Sequence, residues 1–284
     1  MLLHLVSVKP LTALPVFARL YGCSEQDFKE MTNQMTAAWI AQDGGGEALG
    51  AVGLRPSPTH RAEVMGGAFP GPVQHETAVA LIKAALATQS HLYAYAEAHL
   101  LPEETLKIAG LHLISAYTRM TGPLPSTFPV VPDGFKIVPL WEVGRLEDRF
   151  AAEQTYSDRI GHTLVTAEAV QPDVGGTDDR LGRLAYDASG VPAGVCRASL
   201  QGEEVLLETP GVRPDARGTG LRQTLLLSVS AAARAAGATR LVLEARGDTA
   251  VERAEDEALG LGLEEYTPIY SSVTLEPTNP GAGL

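Results

Sequence analysis

The sequence predicts two mixed α/β units in tandem, and three observations predict it. The chain has 284 residues, more than one hydrophobic core usually serves at about 100–200 residues per domain. A proline- and glycine-rich stretch, GPLPSTFPVVPDG from Gly122 to Gly134, interrupts it near the middle. On either side the same order recurs: strand, helical segment, three-stranded meander, helix, strand, helix, strand. The letters repeat weakly as well, since KAALATQSHLYAYAE and SAAARAAGATRLVLE each end an alanine-rich helix and enter a strand.

Each element has a local reason. Leu3 to Val8 alternates as a strand that Pro10 ends. Leu11 to about Met35 gives two short helices, broken at Gly22-Cys23-Ser24, with Ser24 as the N-cap of the second. AAWIAQD and ALGAVGLRP flank Gly44-Gly45-Gly46, a hairpin signature, and RAEVMGGAF adds a third strand. His75 to about Gln89 has helical spacing and alanine propensity. HLYAYAEA is a strand, LPEETLKIAG a helix ended by Gly110, and ISAYTRMT the last strand of the half. In the second half FKIVPL is a strand and LEDRFAAEQTYSDR a helix. LGRLAYDASG and VPAGVCRASL form a hairpin around Ser189-Gly190, and EEVLLETPGV is a strand. A helix from Arg222 stops at Gly237, a favourable C-cap. TRLVLEA, TAVERAEDEALG and TPIYSSVTL close the order as strand, helix and strand. The expected divisions are a first domain over 1–122, a linker over 123–134, a second domain over 135–276 and a frayed tail over 277–284.

Composition narrows the function classes. The formal charge is 22 − 34 = −12. Such a surface repels phosphate backbones, so nucleic acid is excluded as a partner, while a cationic amine is compatible with it. Two distant cysteines, Cys23 and Cys196, supply neither a disulfide framework nor a four-cysteine metal site, and imply a reducing, cytoplasmic setting. Cys196 reads as a small buried hydrophobe in a strand. Seven histidines, His162 among them, show no metal-ligand spacing, so no metal is expected. The amino-terminal residues lack the pattern of a signal peptide and no apolar run is long enough to span a bilayer, so no membrane partner is expected either. Oligomeric state is left open.

The most informative segment is ETPGVRPDARGTGLRQTLLL, Glu208 to Leu227. A strand ends near Val212, a turn carries Arg217-Gly218-Thr219-Gly220, and a helix starts. The first N–H groups of a helix have no internal partner, and its dipole places partial positive charge there. Glycines let an anion reach the bare backbone, and the side chains of Arg217 and Arg222 are expected to add charge-assisted contacts. No Lys-Ser or Lys-Thr follows as in a P-loop, and no G-x-G-x-x-G follows a strand.

The run V-x-P-x-x-R-G-x-G from Val212 to Gly220, followed by a helix, resembles the acetyl-CoA signature of the GNAT superfamily of N-acetyltransferases. The surrounding order of three antiparallel strands, helix, strand, helix and strand resembles that family too. The family motif Q/R-x-x-G-x-G/A fits imperfectly. Begun at Arg217, it ends on Arg222 where the family has Gly or Ala; begun at Asp215, both glycines fit but its first residue does not. The resemblance covers Phe135 to Leu275 by motif and order, and Leu3 to about Met120 by order alone. It implies two tandem GNAT-like domains, each a mixed, mainly antiparallel sheet flanked by helices, with acetyl-CoA as co-substrate of the second. The pyrophosphate is expected on the amides of Gly218, Thr219, Gly220, Leu221 and Arg222, and the pantetheine arm along Gly211 and Val212, where Pro210 disrupts the ladder. The first half reads GGAFPGPVQHET at the matching place, without R-G-x-G, and is expected to be a degenerate copy that braces the second.

Acetyl transfer to an amine needs a neutral nucleophile, and a carboxylate, often working through water, can take the ammonium proton. By the resemblance Glu208 fills that role, with Glu204 further along the same face. The family often carries a tyrosine acid on the last helix. Here one register places Ala258 at that position and the other Asp256, so Tyr270, or Tyr266, is expected to substitute. The function expected is acetyl or short acyl transfer from acyl-CoA directly to a primary amine, small or peptidic. The alternative is an acyl-CoA-binding or scaffolding protein without turnover.

Overall fold

In the computed structural model of the chain, the residues described are 3–58, 60–156, 159–161 and 164–273. The tail expected over 277–284, the end of the last expected strand and His162 lie outside the described residues. The chain divides into two compact units. Unit 1 comprises residues up to Ala116 together with those from Thr267 onward, and unit 2 is Tyr117–Tyr266.

The first half forms β1 (His4–Val8), α1 (Pro10–Tyr21), α2 (Glu25–Asn33), β2 (Ala37–Gln42), β3 (Ala48–Ser57), β4 (Arg61–Ala68), α3 (Gln74–Thr88), β5 (Leu92–Tyr95), α4 (Glu103–Ile108) and β6 (His112–Pro123). Gly22 ends α1 in the left-handed region at φ 64°, and Ser24 opens α2 in a reciprocal capping box with Asp27. At the β2–β3 hairpin the Asp43 carboxylate accepts the N–H groups of Gly45 and Glu47. The second half forms β7 (Phe135–Pro139), α5 (Leu146–Glu153), β8 (Arg183–Asp187), β9 (Pro192–Cys196), β10 (Ala198–Gln201), β11 (Glu204–Glu208), β12 (Gly211–Val212), α6 (Leu221–Ala235), β13 (Arg240–Arg246), α7 (Ala250–Ala258) and β14 (Gly262–Ser271).

Within unit 1, β1 to β4 form an antiparallel meander, β5 lies parallel to β4, and the end of β14 lies antiparallel to β5 through Ile269↔Tyr95 and Ser271↔Tyr93. Within unit 2, β10 and β11 are antiparallel, β13 lies parallel to β11, and β6 lies antiparallel to β13 from Arg240↔Pro123 to Arg246↔Tyr117. A second, antiparallel sheet of unit 2 runs β12-β9-β8-β7. The pairing pattern thus repeats, but each half takes its last strand from the other. The sequence places the division at 123–134; the contacts place the crossings inside β6, at Ala116/Tyr117, and inside β14, at Tyr266/Thr267. Strand periodicity cannot reveal this, because it specifies a strand and its buried face but not its partner.

The unit 2 core packs Leu221, Leu225, Leu226, Val229 and Ala233 of α6 against Val205, Leu207, Leu241, Leu243 and Met120. This packing fixes the α6 N-terminus at the point where β11 ends. Among the described residues no helix is long and apolar enough to cross a membrane.

Candidate functional site

The strand expected from Glu204 to Val212 is split. β11 pairs with β13 as far as Glu208↔Glu244, and the Thr209 N–H still donates to Glu244 O at 2.8 Å. Pro210 has no N–H to continue the ladder. β12 then leaves for the second sheet, Gly211 opposite Val195 and Val212 opposite Gly194. The neighbouring strand divides at the same level, between β9 and β10. Arg213 N–H donates to Ala193 O at 2.9 Å, so by strand alternation the N–H of Val212 points away from β9. Gly211 packs tightly here, since a Cβ would lie 3.0 Å from Tyr156 Cβ and 3.1 Å from Thr155 Oγ1 and would push those neighbours aside.

After β12 the chain makes one 3-10 turn, Pro214–Ala216, and reaches the glycines. Gly218 and Gly220 hold φ of 77° and 86°, which explains why glycine stands at both, and open space lies over each. No described residue accepts a hydrogen bond from the N–H of Gly218, Thr219 or Gly220. Leu221 then begins a 15-residue helix with no side-chain cap and no acidic residue in its first turn. The Thr219 hydroxyl is turned back to Ala216 O at 2.7 Å.

The two arginines are placed differently from the expectation. Arg217 donates through Nε to Val212 O at 3.0 Å and through Nη2 to Thr155 O at 3.3 Å, bracing the split strand. Arg222 is 8% exposed and turned inward. Its guanidinium grips the Asp256 carboxylate at 2.7 and 2.9 Å and reaches Asp248 at 2.8 Å. Thr209 and Tyr156 donate their hydroxyls to Asp248 from the other side. Nearby, Arg159 grips Glu252 at 2.7 and 3.0 Å. These groups hold together the ends of β11 and β13 and the starts of α6 and α7. At this turn an anion therefore meets backbone amides and the helix dipole, not the Arg222 side chain.

The two residues expected as the catalytic pair fall in different units. Glu208 sits on the open face of β11 with its side chain 71% exposed, 4.0 Å from Arg246. Val212 belongs to the buried core with Val205 and Leu207, so the break at Thr209-Pro210 removes the shared face expected of Glu208 and Val212. Tyr270 is 1% exposed in the core of unit 1, and its hydroxyl donates to Glu103 at 2.6 Å. The exchanged strand β14 carries it there, whereas Glu208 belongs to unit 2. Asp256, one candidate for the acid position, is the Arg222 partner, and Ala258 is exposed.

One carboxylate was missed. Glu153 ends α5 beside Arg197, at 3.7 Å. Burial lifts its carboxyl most; Arg197 opposes, Glu208 adds to the rise, and the result is about 7. A group half protonated near neutral pH can both accept and return a proton. Nothing in LEDRFAAEQ separates Glu153 from the helix's solvated acids, because its environment comes from β9 and β11. Arg197 also holds the following loop, donating to Ala169 O at 2.6 Å and Thr177 Oγ1 at 2.9 Å. Cys196 lies buried behind it, its thiol pushed up to about 12 by burial.

Unit 1 has the same divergence with a different filling. Its last parallel pair is Glu63↔Tyr93. There Glu63 is buried against Arg55 at 2.5 Å and the Tyr93 hydroxyl at 3.1 Å. The Gly66 N–H on the diverging strand donates to the Tyr21 hydroxyl at 2.9 Å.

No family model matches the chain, and no curated protein matches it in sequence. Solved structures do. A GCN5-related N-acetyltransferase from Sphaerobacter thermophilus is 18% identical, with a TM-score of 0.56 over 95% of this chain and 98% of that one. A tandem GNAT protein from the clavulanic acid biosynthesis pathway is 16% identical, with a TM-score of 0.50 over 97% and 100%. A conserved protein of unknown function from Enterococcus faecalis, described as a probable N-acyltransferase, is 9% identical, with a TM-score of 0.61 over 95% and 72%. The chain has the fold of the GCN5-related N-acetyltransferases, in its tandem two-domain form.

Proposed function

We propose that unit 2 binds an acyl-CoA, acetyl-CoA in the simplest case, and transfers its acyl group to a primary amine. The observation that carries the reading is the glycine turn: three consecutive N–H groups without a described acceptor, under open space, at the start of a long helix. A pyrophosphate fits such a cradle without any cationic side chain. The acyl-CoA supplies an activated thioester carbonyl. The N–H of Val212, turned from β9, orients that carbonyl.

Of the two carboxylates beside the split strand, Glu153 takes the ammonium proton. Its raised pKa is matched to neutral pH, and Glu208 helps attract the cation. The freed amine nitrogen forms the new bond to the carbonyl carbon, the carbon–sulfur bond breaks, and the second proton, which the nitrogen sheds on becoming an amide, passes through water to the departing thiolate. The second reading, binding without turnover, draws on one observation: Asp256, one candidate for the acid position, is locked in the Arg222 pair.

A panel of primary amines, followed by thiol release from acetyl-CoA, separates the two readings. Turnover that falls at least tenfold in Glu153→Gln supports transfer. Acetyl-CoA binding with no thiol release from any amine supports the second reading.

A further inference from the structure

The segment between the units carries an exposed aromatic that packing does not explain. Phe128 is 84% exposed and Val130 78% exposed, the most solvent-facing large apolar side chains among the described residues. This stretch is nevertheless fixed in place. The Arg234 guanidinium near the end of α6 donates to Pro125 O and, at 3.4 Å, to Leu124 O. The Thr224 hydroxyl in the first turn of α6 donates to Val130 O at 2.8 Å. Thr224 and Arg234 are about 15 Å apart at 1.5 Å per helical residue. Pro125 to Val130 spans about 16 Å when extended. The segment therefore runs stretched along the helix, antiparallel to it. Phe128, two residues from Val130, lies within about 7 Å of that residue. Val130 is itself anchored one helical turn from Gly220. Pro125 and Pro129 bracket Phe128 and stiffen the backbone, so little entropy remains to be lost when a ligand meets the ring.

We infer that Phe128 is the stacking platform for the adenine ring of the bound acyl-CoA. The inference rests on the acyl-CoA reading of the glycine turn. In that ligand the adenine is joined to the pyrophosphate through one ribose, so a pyrophosphate on Gly218–Gly220 leaves the base at the helix's first turn. On its stretched path Phe128 lies beside about Ser228, roughly 12 Å along α6 from Gly220, a gap that the ribose, the base and the phenylalanine side chain together span. A purine recognised by stacking needs no hydrogen-bond code. The linker thus contributes to the ligand site instead of serving only as a tether.

The test is titration of acetyl-CoA and of acetyl-4′-phosphopantetheine, which lacks the 3′-phosphoadenosine and one of the two bridging phosphates, into wild type, Phe128→Ala and Phe128→Trp, each variant compared with wild type for the same ligand. The ring touches little protein, so truncation leaves the thermal melt unchanged. Stacking of a base on an aromatic ring predicts an affinity loss of about tenfold or more for acetyl-CoA in Phe128→Ala. Phe128→Trp restores the affinity, and the phosphopantetheine binds all three proteins alike. Equal acetyl-CoA affinity in wild type and Phe128→Ala overturns the inference while leaving the acyl-CoA reading intact. So does an equal loss for both ligands. Failure of wild type to bind acetyl-CoA overturns the reading itself, and this inference with it.

Discussion

Arg222 and Asp256, 34 positions apart in sequence, form a two-pronged pair with donor–acceptor distances of 2.7 and 2.9 Å. Both are buried, and Asp248 shares the same guanidinium at 2.8 Å. The pair ties the first turn of α6 to α7 across the end of β13. Removing the arginine leaves two carboxylates out of water without a cation. Arg222→Ala is expected to lose about 3–5 kcal/mol of stability in urea unfolding. Arg222→Lys recovers part of it, since an ammonium cannot reproduce the fork. A stable Arg222→Ala protein with weakened acetyl-CoA binding points instead to a phosphate contact.

Glu153 gives a pH dependence of definite sign. Its folded pKa, about 7, lies above the ordinary 4.5, so the folded chain holds this proton more tightly than the unfolded chain. The resulting stabilisation is complete below about pH 4.5 and is lost as pH rises through 7. Glu153→Gln removes the dependence. Its stability relative to wild type is expected to improve between pH 5 and pH 8, by about 1–3 kcal/mol. Chemical denaturation at the two pH values measures it, and no change in the difference removes Glu153 as the tuned carboxylate.

Tyr270 separates a structural tyrosine from a catalytic one. Its hydroxyl contacts Glu103 inside unit 1. Tyr270→Phe is expected to cost about 0.5–1.5 kcal/mol of stability and to leave kcat and its pH profile unchanged. A fall in kcat with unchanged stability restores the role the sequence suggested.

The exchanged strands make neither half self-sufficient. A fragment of residues 1–122 lacks the strand that covers β5 and carries Tyr270 into the core. It is expected to give no cooperative thermal transition by circular dichroism. Adding a peptide of residues 262–273 is expected to restore one. A sharp transition from the fragment alone means that β6 serves its own half.

Local signals carried the sequence reading far. Gly22 and Ser24 marked the α1–α2 break, Gly44 to Gly46 the hairpin, and Gly218 and Gly220 the open turn, because each depends on a few adjacent residues. Pro210 marked the split strand for the same reason. Relations across the fold were not legible. The inward turn of Arg222 depends on Asp248 and Asp256, the tuning of Glu153 on Arg197 and Glu208, and the place of Tyr270 on a strand's choice of partner. One local signal was available and overlooked: Thr249-x-x-Glu252 is a capping box, and it fixes the start of α7 beside Asp248.

The most direct test of the acyl-CoA site is calorimetric titration of acetyl-CoA into wild type, Gly220→Glu and Gly220→Asn. Asparagine tolerates the left-handed backbone at φ 86° and controls for strain. An acyl-CoA site on this turn gives saturable one-site binding to wild type, binding within about tenfold of it for Gly220→Asn, and none for Gly220→Glu, whose carboxylate repels the pyrophosphate. Wild type that binds nothing, or Gly220→Glu that binds as wild type does, contradicts it.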